Sequence, residues 1–540
     1  MAKQHDPEAI IIGAGHNGLV CACYLAAAGV RVTMLERRHV VGGAAVTEEF
    51  HPGFRNSVAS YTVSLLNPRV IADLRLAKHG LRILERPMNN LLPLPGGGAF
   101  SAKVDDAALR QEVARFSPRD AGRLAEFQHR LEVVADQLRA TLLETPPGPG
   151  GGLSALLSAL RLGRRTHALS ATAQRDLHEI FTRSAGEILD DWFESEPIKA
   201  LYGFDAVVGN YAGPYAPGSA YVLLHHAFGE VNGRRGVWGH AVGGMGAITE
   251  AMATEARARG VTILTEAEVS QVRVDAGRAS GVTLSDGREL SADMVIANVN
   301  PRLLYLDMID ADELDPDFHG RIRRYRCASG TLRMNVALSE LPRFDCLPGD
   351  GIQPGHQSGI VIAPSLNYME QAWLDARQHG WSKRPVVEMM IPSTMDDSLA
   401  PEGQHVASLF CQHFAPQLPD GRAWDDHADE AADHVIDTVT EYAPNFRASI
   451  LGRMVLTPTE LERRFGLIGG DIFHGSLGLD QLFSARPVLG YGAYRGPLRG
   501  LYMCGSGTHP GGGVTGAPGH NAAREILRDL RRPGRGHLRS

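Results

Sequence analysis

A chain of 540 residues exceeds the length at which one hydrophobic core keeps growing, so two substantial bodies able to enclose a large ligand are expected. Hydrophobic residues at 44% and charged residues at 21% exclude a disordered, collagen-like or fibrous protein. The 54 basic and 61 acidic side chains leave a formal charge of -7 with no long run of one sign, which argues against a nucleic-acid partner.

The first element in chain order is a short apolar strand, Ala9–Ile12. A turn at Gly13-Ala14-Gly15, an alanine-rich helix ending near Gly29 and a second strand, Val30–Leu35, follow it. Residues Ala9 to Val30 carry no Asp, Glu, Lys or Arg, a length that also suggests a membrane span. Gly13, Gly15, His16, Asn17 and Gly18 inside it fit a strand-turn-helix instead. The short, acidic N-terminus lacks a signal-peptide layout, and a cytoplasmic location is expected.

The spacing of Gly13, Gly15 and Gly18 after a strand and at the opening of a helix is that of a dinucleotide site. Gly13 permits the tight turn, Gly15 lets the backbone, with Asn17 alongside, approach a diphosphate, and Gly18 allows close helix-strand packing. Glu36 ends the second strand, placed to accept hydrogen bonds from a ribose. Arg37, Arg38 and a second glycine loop, Gly42-Gly43-Ala44, come close behind and can pass beside the phosphates, which favours FAD over NAD.

Phe116 to Glu144 reads as an amphipathic helix stopped by the cluster Thr145-Pro146-Pro147-Gly148-Pro149-Gly150-Gly151-Gly152, expected as an exposed loop. The next helical stretch, Leu153 to Phe193, contains the run Leu156-Leu157-Ser158-Ala159-Leu160-Arg161-Leu162-Gly163-Arg164-Arg165. Its leucines are expected to pack into a neighbouring body, with peripheral contact to a membrane surface as the alternative. Further on, Gly243-Gly244-Met245-Gly246 opens a helix leading to a strand at Val261–Leu264 and to Val269. A hairpin turn at Ser285-Asp286-Gly287 and an apolar strand from Ala292 to Asn298 follow. Leu501–Cys504 supplies the last strand and Thr515 to Leu530 the last helix. The expected fold is α/β: a discontinuous Rossmann-type FAD-binding domain from 1–60, 235–300 and 455–540, with an α+β substrate domain from 61–234 and 301–454 capping the flavin.

The six cysteines show no metal-ligand spacing. Cys21 and Cys23 sit two apart in a helix, which turns them away from each other, and read as small core residues rather than a redox pair. Cys504 ends an apolar strand, so FAD is expected to be noncovalent. The adjacent His225 and His226 diverge and make no zinc site.

The run from Leu35-Glu36-Arg37-Arg38 through Gly42-Gly43 resembles the extended FAD signature of the amine oxidase and phytoene desaturase superfamily. Leu501 to Val514 resembles its second flavin motif, which implies that Gly505, Ser506, Gly513 and Val514 meet the flavin end. The following helix would then aim its positive N-terminus at the isoalloxazine. A closer likeness covers nearly the entire length, to a phytoene desaturase-like family of FAD oxidoreductases. It is carried by Glu36-Arg37-Arg38-His39-Val40 to Glu48-Glu49, Asp191 to Pro197, Tyr221 to His226 and Phe473-His474 to Leu482. That resemblance implies that Val269 contacts the adenine. Unlike the eukaryotic members, the chain reaches its first strand without a mitochondrial presequence.

The resemblance implies dehydrogenation or desaturation of an apolar, isoprenoid-like substrate by hydride transfer to flavin N5. The alternatives are a flavin amine oxidase releasing peroxide and a FAD-containing protein that binds partners. His225, His226, His474 and Tyr215 are the candidates for a base or a substrate-orienting group, each with a structural role as its alternative. A second nucleotide fingerprint is missing, so oxygen, a quinone or a redox partner, rather than NAD(P)H, is the expected redox partner of the flavin. The oligomeric state is not legible.

Overall fold

The computed structural model describes residues 7–149 and 151–531. A five-stranded parallel sheet organises its first body. β1 (Glu8–Ile12) leads through α1 (His16–Ala27) to β2 (Arg31–Leu35). Much later come α2 (Gly246–Ala258), β3 (Thr262–Leu264), β4 (Met294–Ala297), β5 (Leu501–Met503) and α3 (Ala517–Leu530). The order across the sheet is β3-β2-β1-β4-β5, with every pairing parallel. The central strands β1 and β4 are largely apolar, Ala9–Ile12 and Met294–Ala297 being buried throughout, because both faces of the sheet are covered. Successive side chains alternate between two cores. Ile11 joins Leu19, Ile248 and Ile526 of the three helices, whereas Ile10 and Ile12 join the antiparallel strands Val269–Asp275 and Arg278–Leu284.

The second body is a seven-stranded sheet ordered Ile450–Leu456, Thr331–Leu338, His405–Phe414, Trp381–Met390, Gly359–Ile362, Met88–Pro93, Ala99–Lys103. Only Gly359–Ile362 with Met88–Pro93 pairs in parallel. Alternation again sorts the faces: Leu409 and Cys411 pack under the helix Trp424–Thr440, while Phe410 faces the helices Glu196–Val207 and Ser219–His226.

Two expectations need correction, and the packing around the parallel sheet adds a detail. Val63, Leu66, Val70 and Leu74 pack beside α1, and Leu304, Phe318 and Ile322 on the opposite face of the parallel sheet, so residues outside 1–60, 235–300 and 455–540 also pack there. The Pro/Gly segment is exposed only at its far end, at Pro149, Gly151 and Gly152. Residues 141–148 are half-buried against α3: Thr145 Oγ1 donates to Glu525 Oε1 at 2.6 Å, and Asn521 Nδ2 donates to the Leu142 carbonyl at 2.9 Å. The carbonyls that dock it on α3 are those of Leu142, Leu143 and Glu144, just ahead of the prolines; Gly150 lies outside the described residues. Finally, the helix Gly152–His167 turns its leucines outward, with Leu153, Leu156, Leu157 and Leu160 all more than half exposed. Its inward side is instead the half-buried Ala155, Ser158, Arg165 and Thr166, held by an ion pair from Arg165 to Glu144.

Candidate functional site

The turn between β1 and α1 is shaped by what its glycines exclude. Gly13 has φ +90°, a left-handed conformation costly for other residues. A Cβ at Gly18 would lie 2.5 Å from the Gly13 carbonyl oxygen, so this glycine sits beneath the turn and permits helix and strand to touch. A Cβ at Gly15 would lie 3.0 Å from Asn298 Nδ2. The second glycine loop runs alongside, with the Gly42 N–H donating to the Ala14 carbonyl at 2.9 Å and Gly43 packed over Gly15. Glu36, buried at the end of β2, accepts from the Ala14 N–H at 2.9 Å and from the Arg38 N–H at 3.0 Å.

These segments wall an open cleft. Gly13, Gly15 and Asn17 form its floor, Glu36 and Arg37 one end, and Gly42, Gly43 and Ala44 a side; Val269 lies on the wall near Glu36. From the C-terminal motif Ser506 faces the cleft and accepts from Asn17 Nδ2 at 3.1 Å. Gly505 stands behind it, where a Cβ would come within 3.1 Å of Asn298 Oδ1. The N-terminus of α1, whose first amides find no side-chain cap, opens beside the glycine floor.

A second cavity adjoins the first and shares His16, Ala44, Leu467, His474 and Ser506 with it. Gly513 and Val514 line this second space rather than the cleft. Its remaining walls are largely apolar, among them Phe204, Val208, Trp238, Phe410, Ile472 and Phe473. His16 Nε2 and His474 Nδ1 are buried at the junction without a hydrogen-bond partner among the described residues. Burial pushes the His16 imidazole down to about 4 and that of His474 to about 3, the latter helped by Arg486 and His16, so both are neutral at ordinary pH.

The four catalytic candidates part company. His474 stands at the junction and His226 lines the cavity, its Nδ1 2.9 Å from the Val222 carbonyl. His225 is buried behind the cavity wall, edge-on to Phe473, and is pushed down to about 3 by burial and then by His226 and Arg486. Tyr215 lies outside both spaces. It is 39% exposed, its hydroxyl donates to Asp190 Oδ2 at 2.8 Å, and its ring covers Gly186, whose missing side chain makes the room. This placement fits the structural role that was its alternative.

Sequence reasoning missed the polar end of the cavity. Tyr61 donates its hydroxyl to buried Glu388, and the Arg333 guanidinium stacks 4.5 Å above the Tyr61 ring while donating to the Ala59 carbonyl. Burial raises the Glu388 carboxyl above the usual range, against the pull of Arg86. Asp205, on the same cavity, is raised to about 8 by burial and then by Glu388. It missed Arg486 as well, which is fully buried and donates to the carbonyls of Ser506, Phe473, Gly475 and Gln481. That one side chain ties the loop carrying His474 to the C-terminal motif. No local pattern marks any of these residues, since each is a single polar residue in an otherwise ordinary element.

All six cysteines are unpaired, Cys21 and Cys23 inside α1 and Cys504 buried beside Cys21. Among the described residues, no helix is long and apolar enough to cross a membrane.

The donor set suits a flavin dinucleotide: glycine edges that leave backbone bare, uncapped amides, one buried ring nitrogen without a partner on each of His16 and His474, and a carboxylate at the far strand end. Residues 18–343 match the family model described as flavin containing amine oxidoreductase. Over 97% of its length the chain is 43% identical to pyridine nucleotide-disulfide oxidoreductase domain-containing protein 2 of Rattus norvegicus, spanning 94% of that protein. It is 25% identical to a subunit of the limonene dehydrogenase of Castellaniella defragrans, over 98% of this chain and 96% of that one. To the lycopene-forming phytoene desaturase of a Paracoccus strain it is 26% identical, over 97% and 99%. A solved oxidoreductase from Methanosarcina mazei shares the fold with a TM-score of 0.62 at 17% identity, covering 96% of this chain and 100% of that one.

Proposed function

Because the chain belongs to the flavin containing amine oxidoreductase family and is thereby a flavin-dependent oxidoreductase, we propose that it holds FAD noncovalently and dehydrogenates or desaturates an apolar, isoprenoid-like substrate. The observation that carries this reading is the direct junction between the nucleotide cleft and a largely apolar cavity through His16, Ala44, Leu467, His474 and Ser506. The flavin, when bound, supplies a hydride acceptor. The amides at the start of α1 and the bare edge of Gly15 would receive the diphosphate, Glu36 and Val269 the adenosine, and Ser506, Gly513 and Val514 the flavin end. Phe410, Phe473 and Trp238 would exclude water and press an apolar substrate toward the junction, where neutral His474 can donate or accept one hydrogen bond without carrying charge. The burial of Cys504 beside Cys21 supports the noncovalent reading. Similarity to part of a limonene dehydrogenase and to a phytoene desaturase supports a hydrocarbon substrate. Oxygen, a quinone or a protein partner would reoxidise the flavin.

Amine oxidation is the second reading, favoured by one observation: Asp205 and Glu388 place two carboxyls at the end of the cavity, where an ammonium could be received. The test is anaerobic mixing of the flavin-loaded protein with monoterpenes, longer polyenes and primary amines while following the flavin absorption. Bleaching by isoprenoids is expected. Bleaching by amines alone, with peroxide released on admitting air, replaces the first reading with the second.

A further inference from the structure

The helix Gly152–His167 breaks the rule that apolar stripes on helices face a core. At about 100° per residue, Leu153, Leu156, Leu157 and Leu160 share an arc roughly 100° wide. That arc points into solvent, with relative exposures of 72%, 55%, 54% and 55%. Exposed Arg164 continues the same arc beyond Leu160, and exposed Arg161 flanks it. The helix contains no Asp or Glu, in a chain whose formal charge is -7.

We propose that this helix is an interfacial anchor that lies flat in the surface of an anionic bilayer, leucines in the acyl boundary and arginines among the lipid phosphates. Its 16 residues reach roughly 24 Å, too short to span but long enough to lie in the plane. The chemistry separates a bilayer from a protein partner. A protein hot spot centres on aromatic anchors in pockets, and this face has none; a row of leucines running into arginines matches a fluid boundary where long cations snorkel. Charge complementarity selects the anionic surface, since basic residues near it add attraction that salt screens. The inward face of small and half-buried residues, pinned by Arg165 to Glu144, leaves the leucine arc free without unfolding anything.

The test is flotation of the full-length, flavin-loaded protein with vesicles of phosphatidylcholine alone or mixed with phosphatidylglycerol. Expected are co-flotation with the mixed vesicles at low salt and at least about a tenfold loss of bound protein in Leu156→Ser/Leu160→Ser. Arg161→Gln/Arg164→Gln is expected to weaken binding chiefly at low salt. The thermal transition and flavin content, unchanged in both variants because these side chains are exposed, certify the fold. No flotation of the wild type, or flotation indifferent to the leucine pair, overturns the proposal. So does a wild-type dimer that the leucine pair converts to monomer, which would assign the stripe to a second copy of the chain.

Discussion

In the nucleotide cleft the groups facing a ligand are mostly main chain: amides at the start of α1, the glycine edges at 13, 15, 42 and 43, and one carboxylate, Glu36, held by the amides of Ala14 and Arg38. In the adjoining cavity they are side chains delivered by the segment around Tyr61, by the helices that carry Asp205 and His226, by the sheet residues Glu388 and Phe410, and by the loop of Phe473 and His474. A backbone site is specified by close approach, so an added carbon at Gly15, Gly18 or Gly42 crowds its neighbours. A site of side chains is specified by packing and charge, and it tolerates substitution at the cost of selectivity. The two regions should therefore answer mutation differently, with cofactor loss confined to one and substrate or pH effects to the other.

The largest expected effect is in the cleft. Gly15→Val places a Cβ 3.0 Å from Asn298 Nδ2 and two methyls over the surface offered to the diphosphate. Gly15 has φ -71°, an ordinary value, so the chain should still fold. FAD affinity, measured by titration calorimetry on the apoprotein, is expected to fall at least about a hundredfold. A yellow variant at wild-type stoichiometry would show that backbone approach does not define this region.

The same contrast explains what was readable beforehand. The parallel sheet, the turn at Gly13 to Gly18, Glu36 and the hairpin at Asp286-Gly287 were legible because each is a contiguous stretch whose residue types meet a backbone demand. Tyr61, Asp205, Glu388 and Arg333 were not, because four separate segments bring them together and nothing local distinguishes Glu388 from any other acidic residue in a strand. The helix Gly152–His167 failed for a different reason. Periodicity shows that a helix has an apolar side but not that a core awaits it, and here the small residues Ala155 and Ser158 took the inward position.

A middle-sized effect is expected from Asp205→Asn in the cavity. The carboxyl is raised from 3.8 to about 8, so between those values the folded chain holds a proton that the unfolded chain has released. Wild-type stability then falls as pH rises through that window and levels off above it. Asparagine cannot ionise, so the variant should gain on the wild type as pH rises, by on the order of 1–3 °C in Tm above pH about 8, and lose its advantage near pH 4. Calorimetric scans across that range check the slope. FAD affinity should stay within about twofold, because Asp205 lies on the cavity and not on the cleft. A large loss of flavin would mean that the two regions are not separable.

Tyr215→Phe sets the lower bound. The side chain lost is one hydroxyl whose partner, Asp190, sits at the surface and also receives the Lys199 ammonium at 2.9 Å, so Asp190 keeps a donor when the tyrosine is gone. The phenylalanine ring still covers Gly186, where a gap would otherwise open against a backbone with no side chain of its own. An exposed hydrogen bond of this kind is worth less than about 1 kcal/mol. Denaturant midpoint, FAD affinity and the rate of flavin bleaching by substrate should all stay near their wild-type values. The bleaching rate is the measurement that matters: a tenfold fall with stability unchanged would place a reacting or orienting group outside both spaces. The division between a backbone-built cleft and a side-chain-built cavity would then be too narrow to contain the chemistry.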